Sequence, residues 1–297
     1  MKVHSNSETL SLLDNRLTLT LHSDARYVVL RFNDAPSRNA VSFDMAAALF
    51  EMVKIAQDPN ASHPLSRGIQ SGNLLAIVLK SELPQVFLSG GHLKEIVRFT
   101  ADEGQHFTHC MNTFTTFLRA GPLVSVALLN GVAAGGGSEI ALSADYRIAL
   151  NARAQLELAQ ARWGVPAGWG MMTDLLNKGV YASERRRSLA VLSQESWNLE
   201  RLLQLGLVDA QCDEDKETEA EAEAEANWQH WLNTLLNKVA ACPTELRTAL
   251  LQTRNSLTGD ALQHFDEELF KQFWLSDEHL SRVSGYLENR KNKLKSE

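Results

Sequence analysis

The stretch from Asn130 to Asp145, NGVAAGGGSEIALSAD, sets three consecutive glycines, Gly135, Gly136 and Gly137, directly before a segment of helical pattern that carries one glutamate, Glu139. Glycine loses more backbone entropy on folding than any other residue, so the run implies a demand for bare backbone. The apolar run Leu123 to Leu129 in front of it reads as a buried strand. A strand, a glycine turn and a helix starting near Gly136 leave unpaired N–H groups at a helix N-terminus, where the dipole also favours negative charge. Such a turn suits an anion, either a phosphate or the oxyanion that develops on a carbonyl. The phosphate patterns G-x-x-x-x-G-K-[ST] and G-x-G-x-x-G are not what stands here; the order is AAGGGSE, with no lysine in place. The bland alternative is that the glycines only allow close packing of helix on strand.

A second stretch, VFLSGGHLKEI at residues 86 to 96, repeats the arrangement: an apolar strand end, the small residues Ser89, Gly90 and Gly91, then a helical pattern opening on His92. Two such turns can each present one N–H to the same oxygen. That is how an oxyanion hole is built, and losing one donor from it typically costs about 3–4 kcal/mol of transition-state stabilisation. The pair therefore favours an enzyme.

Around these turns, strand-like and helix-like segments alternate. Leu17 to Leu21 and Tyr27 to Phe32 read as paired strands, and Ser42 to Ile55 as a helix capped by Ser42. Leu74 to Leu79 reads as a strand buried on both faces, Ala101 to Ala120 as a helix, and Tyr146 to Ala149 as a further strand. This is an α/β pattern with parallel strands. Between Asp58 and Asn73 the turn formers of DPNASHPLSRGIQSGN predict an exposed loop. After Ala210 no strand pattern follows, and DEDKETEAEAEAEANW opens a charged, alanine-rich helical region whose Glu-Ala alternation reads as solvated. The expected division is an α/β body over 1–210 and a C-terminal helical region over 211–297, serving oligomerisation or covering the site.

At 297 residues and 44% hydrophobic the chain can bury a substantial core. A net charge of -7, with its one basic cluster at Arg290, Lys291, Lys293 and Lys295, argues against a nucleic-acid partner. No run of signal-peptide or membrane-spanning character is present, so no membrane association and a cytoplasmic location are expected. Cys110, Cys212 and Cys242 lie far apart without C-x-x-C spacing, which predicts reduced thiols and no metal site.

The same residues carry a resemblance. NGVAAGGGSEIALSADYRIA resembles the signature of the crotonase (enoyl-CoA hydratase/isomerase) superfamily, and VFLSGGHLKE resembles its other oxyanion segment. NDAPSRNAVS (33–42), GVPAGWG (164–170) and LLQLGLVDA (202–210) are similar to three further elements in the family's order. The resemblance implies a crotonase-like spiral of β-β-α turns with a C-terminal helical region, a homotrimer or dimer of trimers, and an acyl-CoA thioester as substrate. Coenzyme A then enters only as part of the substrate, with no separate cofactor. By position the oxyanion donors are the N–H groups of Gly91 and Gly136.

Family hydratases carry two glutamates. Glu139 matches the first and is the expected acid/base. Alignment on Gly164 puts Gln160 at the second, and an amide neither takes nor gives a proton near pH 7. Glu157 is the alternative occupant, although as part of an alternating strand it shares a face with Gln155 and Ala159 rather than with Gln160. Ser89, Gly90 and Gly135 are expected near the thioester and pantetheine, and Arg38 and Ala40 near the rest of coenzyme A. His92 stands where the family has aspartate, as a helix cap or a proton source, and Trp169 with Trp163 is expected on the acyl pocket wall. Three readings follow: a hydratase/isomerase-like enzyme using Glu139, a decarboxylase of malonyl-type thioesters, to which GVPAGWG is the more similar, or a non-catalytic acyl-CoA-binding scaffold.

Overall fold

In the computed structural model, residues 7–60, 62–177, 184–212, 220–241, 271, 274, 275 and 277–296 are described. Two sheets organise them. The larger runs β1 (Ser7–Leu13), β2 (Leu17–His22), β3 (Tyr27–Phe32), β4 (Ala76–Ser81), β6 (Val124–Leu129), β8 (Tyr146–Ala149), β11 (Ala210–Gln211), in that order. The smaller runs β10 (Ser196–Asn198), β9 (Gln155–Glu157), β7 (Val132–Ala134), β5 (Val86–Leu88). Strands β1 to β3 are antiparallel, a departure from the all-parallel expectation, and from β3 to β11 the ladder is parallel. Strand β1 escaped the sequence reading because its side chains are mostly exposed, so it shows no strong apolar pattern.

The continuous apolar run of β4 has a physical reason in the two cores that flank it. Ile77 and Leu79 point into the core that holds α1 (Phe43–Gln57) and much of α4 (Ala101–Ala120). Ala76 and Val78 point the other way, onto Trp228, Leu232 and Leu236 of α9 (Ala220–Ala241). Alternate residues of a strand face opposite sides, so a sheet covered on both faces reads apolar throughout. The expectation of a wholly solvated Glu-Ala helix is thereby corrected. Ala224 is buried one turn before Trp228, and Glu225 accepts from Lys80 Nζ at 2.9 Å and from Trp228 Nε1 at 2.9 Å.

The stretch expected as a bare loop also contains structure: α2 spans Pro64–Gln70. Proline at the first helical position supplies a helical φ without wasting an N–H, and His63 caps the start, its Nδ1 accepting from Leu65 N at 3.2 Å. The remaining helices are α3 (Leu93–Ile96), α5 (Gly136–Ser143), α6 (Met171–Asn177), α7 (Glu184–Leu192), α8 (Leu199–Gln204) and α10 (Asp277–Ser296). Ser42 caps α1 as expected, accepting from Met45 N at 3.1 Å. Among the described residues no helix is long and apolar enough to cross a membrane. Cys110 and Cys212 are buried and form no disulfide among the described residues, while Cys242 lies outside them.

Candidate active site

The smaller sheet brings the two glycine turns together. Strands β5 and β7 are parallel neighbours, Val86 opposite Val132 and Leu88 opposite Ala133, so the chain leaves both in the same direction. A side chain on Gly90 would lie 2.9 Å from Ala134 O and 3.2 Å from Gly136 N. The turn after β5 therefore rests on the N-terminus of α5. Gly90 has φ +86°, a left-handed conformation that glycine adopts without strain. Among the described residues no acceptor is paired with the N–H of Gly91 or of Gly136.

Each glycine of the triple run answers a different demand. Gly135 has φ 54° and ψ -120°, a backbone state essentially closed to other residues, with open space where a side chain would be. Gly136 lies under the Trp169 ring, whose Cζ3 would stand 2.0 Å from an added Cβ. At Gly137 the Cβ would stand 2.1 Å from the Leu88 carbonyl oxygen, so this residue does serve helix-on-strand packing.

Both turns open on one cavity of about 410 Å³. Arg38, Ala40, Ser89, Gly90, Gly91 and His92 line it from one side, and Gly135, Gly136, Glu139, Gln160, Trp163 and Trp169 from the other. The catalytic and substrate-binding residues expected from the sequence thus lie on its wall. Glu157 lines it too, but its Oε1 is bonded by Gln155 Nε2 at 3.0 Å, the strand-face neighbour expected for it. His92 occupies the N-cap position of α3 without making a capping bond, which corrects the capping expectation; its Nδ1 lies 3.4 Å from Glu95 Oε1.

Glu139 sits in the first turn of α5 and is 3% exposed. Its Oε2 accepts from Trp169 N at 2.6 Å and Met171 N at 3.5 Å, and its Oε1 from Gln160 Nε2 at 3.1 Å and Gly168 N at 3.4 Å. Burial disfavours the charge more than these donors favour it, and the carboxyl is pushed up to about 7. Gln160, 4% exposed at the start of a short 3-10 turn over Gln160–Trp163, hydrogen-bonds Glu139, and no hydrogen bond joins Glu157 to Glu139 among the described residues.

The turn that supplies three of those donors is held from behind. Arg119 of α4 donates to Trp169 O at 3.2 Å, to Ser143 Oγ at 3.0 Å and to Asp174 Oδ2 at 3.2 Å, all buried. Gly170, φ +97°, leaves room for the guanidinium, whose Nη1 would stand 2.5 Å from a Cβ there. Sequence reasoning missed this cluster because its members lie 24 to 55 residues apart, with no spacing to connect them. Trp274, and His279, Tyr286 and Arg290 of the last helix, line the same cavity, and the sequence named none of them as site residues within the C-terminal region expected there.

The raised carboxyl gives a stability prediction. An unfolded glutamate titrates at 4.5 and the folded one near 7, so the proton favours the folded state. The stabilisation, on the order of 3 kcal/mol, is complete below pH 4.5 and is lost as pH rises through about 7. Denaturant midpoints are expected to fall as pH rises from 5 to about 7, most steeply between the two titration points, and to level off above that.

Known proteins are similar to this chain. The chain is 29% identical over 143 residues to mitochondrial methylglutaconyl-CoA hydratase of Mus musculus, covering 48% of this chain and 41% of that one. It is 28% identical over 204 residues to ethylmalonyl-CoA decarboxylase of Bos taurus, covering 67% of this chain and 62% of that one. The chain thus spans less than two thirds of the length of the curated relatives it matches. The structure of human mitochondrial delta3-delta2-enoyl-CoA isomerase superposes with a TM-score of 0.71 at 22% identity, over 94% of this chain and 99% of that one, which shows the crotonase fold. Residues 63–297, from the start of α2 through both glycine turns to the last helix, match the enoyl-CoA hydratase/isomerase family, and the chain belongs to it.

Proposed function

We propose that this protein is an acyl-CoA enzyme that holds a thioester oxygen between the N–H groups of Gly91 and Gly136 and moves a proton at the neighbouring carbon with one carboxyl group, Glu139. The observation that carries this reading is the shared cavity: two adjoining turns with unpaired N–H groups and, beside them, a buried carboxyl near neutrality. Donors aimed at a developing oxyanion stabilise the enolate more than the thioester it comes from, and so lower the barrier. A carboxyl near 7 is populated in both forms at neutral pH and serves as base in one direction and acid in the other. Trp169 supports the site twice, with its N–H on Glu139 and its ring against Gly136.

The amide facing Glu139 bears on the reaction. Adding water across a double bond asks for a base on the water and an acid on the carbon, whereas shifting a double bond asks for one group that lifts a proton from one carbon and returns it to another. With Gln160 beside Glu139, double-bond isomerisation is the better fit. Decarboxylation of a malonyl-type thioester is the second reading; it likewise needs one proton donor and a held oxyanion, and the decarboxylase relative matches two thirds of this chain. Supplying the purified protein with a 3-enoyl-CoA, crotonyl-CoA and ethylmalonyl-CoA separates the readings. Formation of the 2-enoyl isomer with little water addition is expected; carbon dioxide release establishes the second reading, and turnover of none of them leaves a binding scaffold. A homotrimer or dimer of trimers belongs to the same proposal and is checked by light scattering.

A further inference from the structure

Gln160 presents an imbalance. Its Nε2 donates to Glu139 Oε1 at 3.1 Å and lies 3.8 Å from Met171 Sδ, yet its own Oε1 is buried without a partner among the described residues. A buried acceptor left unpaired costs free energy, on a side chain that is 4% exposed. The two oxygens of Glu139 are also unequal. Oε2 accepts the 2.6 Å bond from Trp169 N, a donor fixed in the backbone that favours the bare oxygen there and so places the proton on Oε1. Oε1 has the long 3.4 Å approach of Gly168 N and the amide of Gln160. An amide's oxygen and NH2 group are nearly the same size, so reversing it about its last bond requires no extra room.

We propose that the Gln160 amide reverses with the protonation state of Glu139: its NH2 donates to the carboxylate, and after a half turn its oxygen accepts the O–H of the acid, so that Glu139 carries its proton on Oε1. In either state the pair keeps one hydrogen bond, and the oxygen now unpaired becomes the acceptor of the second state. Gln160 is thus a positioning residue that stores the proton without fixing the charge. Resting on the acyl-CoA reading above, the step it serves balances simply. The Oε1–H bond breaks as the enolate's electron pair forms a C–H bond next to the thioester, and the new carboxylate draws the amide back to its donor orientation.

Other charges around Glu139 stay put in this account. On the elements packed against α5, Arg119 of α4 and Asp174 of α6 are ion-paired at 3.2 Å, and β5 and β7 bring no ionisable side chain. Of the ionisable groups elsewhere on the cavity wall, Glu157 is bonded to Gln155, Arg162 Nε to Gln194 at 3.3 Å, and His279 Nδ1 to Leu275 N; Arg38, His92, Lys94, Tyr286 and Arg290 complete those among the described residues.

The test is an infrared titration of the free protein, with the Glu139 carboxylic acid band assigned by its loss in Glu139→Gln, comparing wild type with Gln160→Met. A reversing amide supports acid and carboxylate alike. Its removal is expected to leave the midpoint of the titration unchanged and to move the acid's C=O band upward, because the O–H loses its acceptor. A fixed amide supports only the carboxylate, so the midpoint would instead rise by about one pKa unit or more. That rise, or a band that does not move, overturns the proposal, and a Gln160→Asn variant read in the same way serves if the methionine variant does not fold. No acyl-CoA enters the measurement, so it stands apart from the turnover assays that test the function itself.

Discussion

Glu139→Gln is expected to lower turnover of whichever thioester the enzyme uses by about 10²–10⁴-fold, the range general acid–base groups supply, while the protein stays folded. The substitution keeps the shape of the side chain and removes its exchangeable proton. It also keeps the shorter hydrogen bonds. The new amide oxygen takes the 2.6 Å bond from Trp169 N, and the new NH2 meets Gln160 once that amide reverses to present its unpaired Oε1, with only the long 3.4 Å bond from Gly168 N lost. Steady-state kinetics give the loss. Denaturation at pH 5 and pH 9 gives the control: the variant has no carboxyl to charge, so its stability lacks the fall between 4.5 and about 7 expected of the wild type. Turnover within a few-fold of wild type would remove Glu139 from the mechanism.

Gly137→Ala is expected to yield no stably folded protein. The added methyl would lie 2.1 Å from the Leu88 carbonyl oxygen and 2.8 Å from its carbon. Those are backbone atoms of β5, the strand that carries the other glycine turn, so relief requires moving α5 off the sheet. Overpacking of side chains usually costs about 1–3 kcal/mol, and a clash with fixed backbone exceeds that. Gly91→Ala is the comparison, since its methyl would crowd just the end of the Ile96 side chain, Cδ1 at 2.7 Å, which can turn aside, and would touch Phe107 Cζ at an ordinary 4.0 Å. Soluble expression and circular dichroism of the two variants decide the matter; a folded Gly137→Ala protein would show that the helix–strand distance is not what the third glycine protects.

Much of this was written in local patterns. The 20-residue α4 ends where its periodicity ends, between Thr100, which caps it, and Gly121. Helix α5 begins at the second glycine, and the buried strands declare themselves by unbroken apolar runs. The site was legible because its parts sit in two short glycine-rich segments whose chemistry is local. What stayed hidden depends on contacts across long separations. Nothing near Arg119 in the chain announces Asp174, and nothing in Trp274 or Tyr286 announces the cavity they help to line. The placement of α2 was hidden for another reason: Pro64 and His63 look like turn formers until the proline is seen as a helix start.

The second face of the large sheet has a consequence for how the chain comes to be folded. Its cover, Trp228, Leu232 and Leu236, is encoded after residue 220, so a ribosome has produced every strand of the sheet before the residues that shield it exist. Until then the outward side chains of β3, β4 and β6, Val29, Val78, Val126 and Leu128 among them, form a sticky plane on a nascent chain. Covering of the outward face is therefore a late step, which follows the synthesis of every described strand of the sheet. A version cut short at 212 would carry both glycine turns intact and still precipitate.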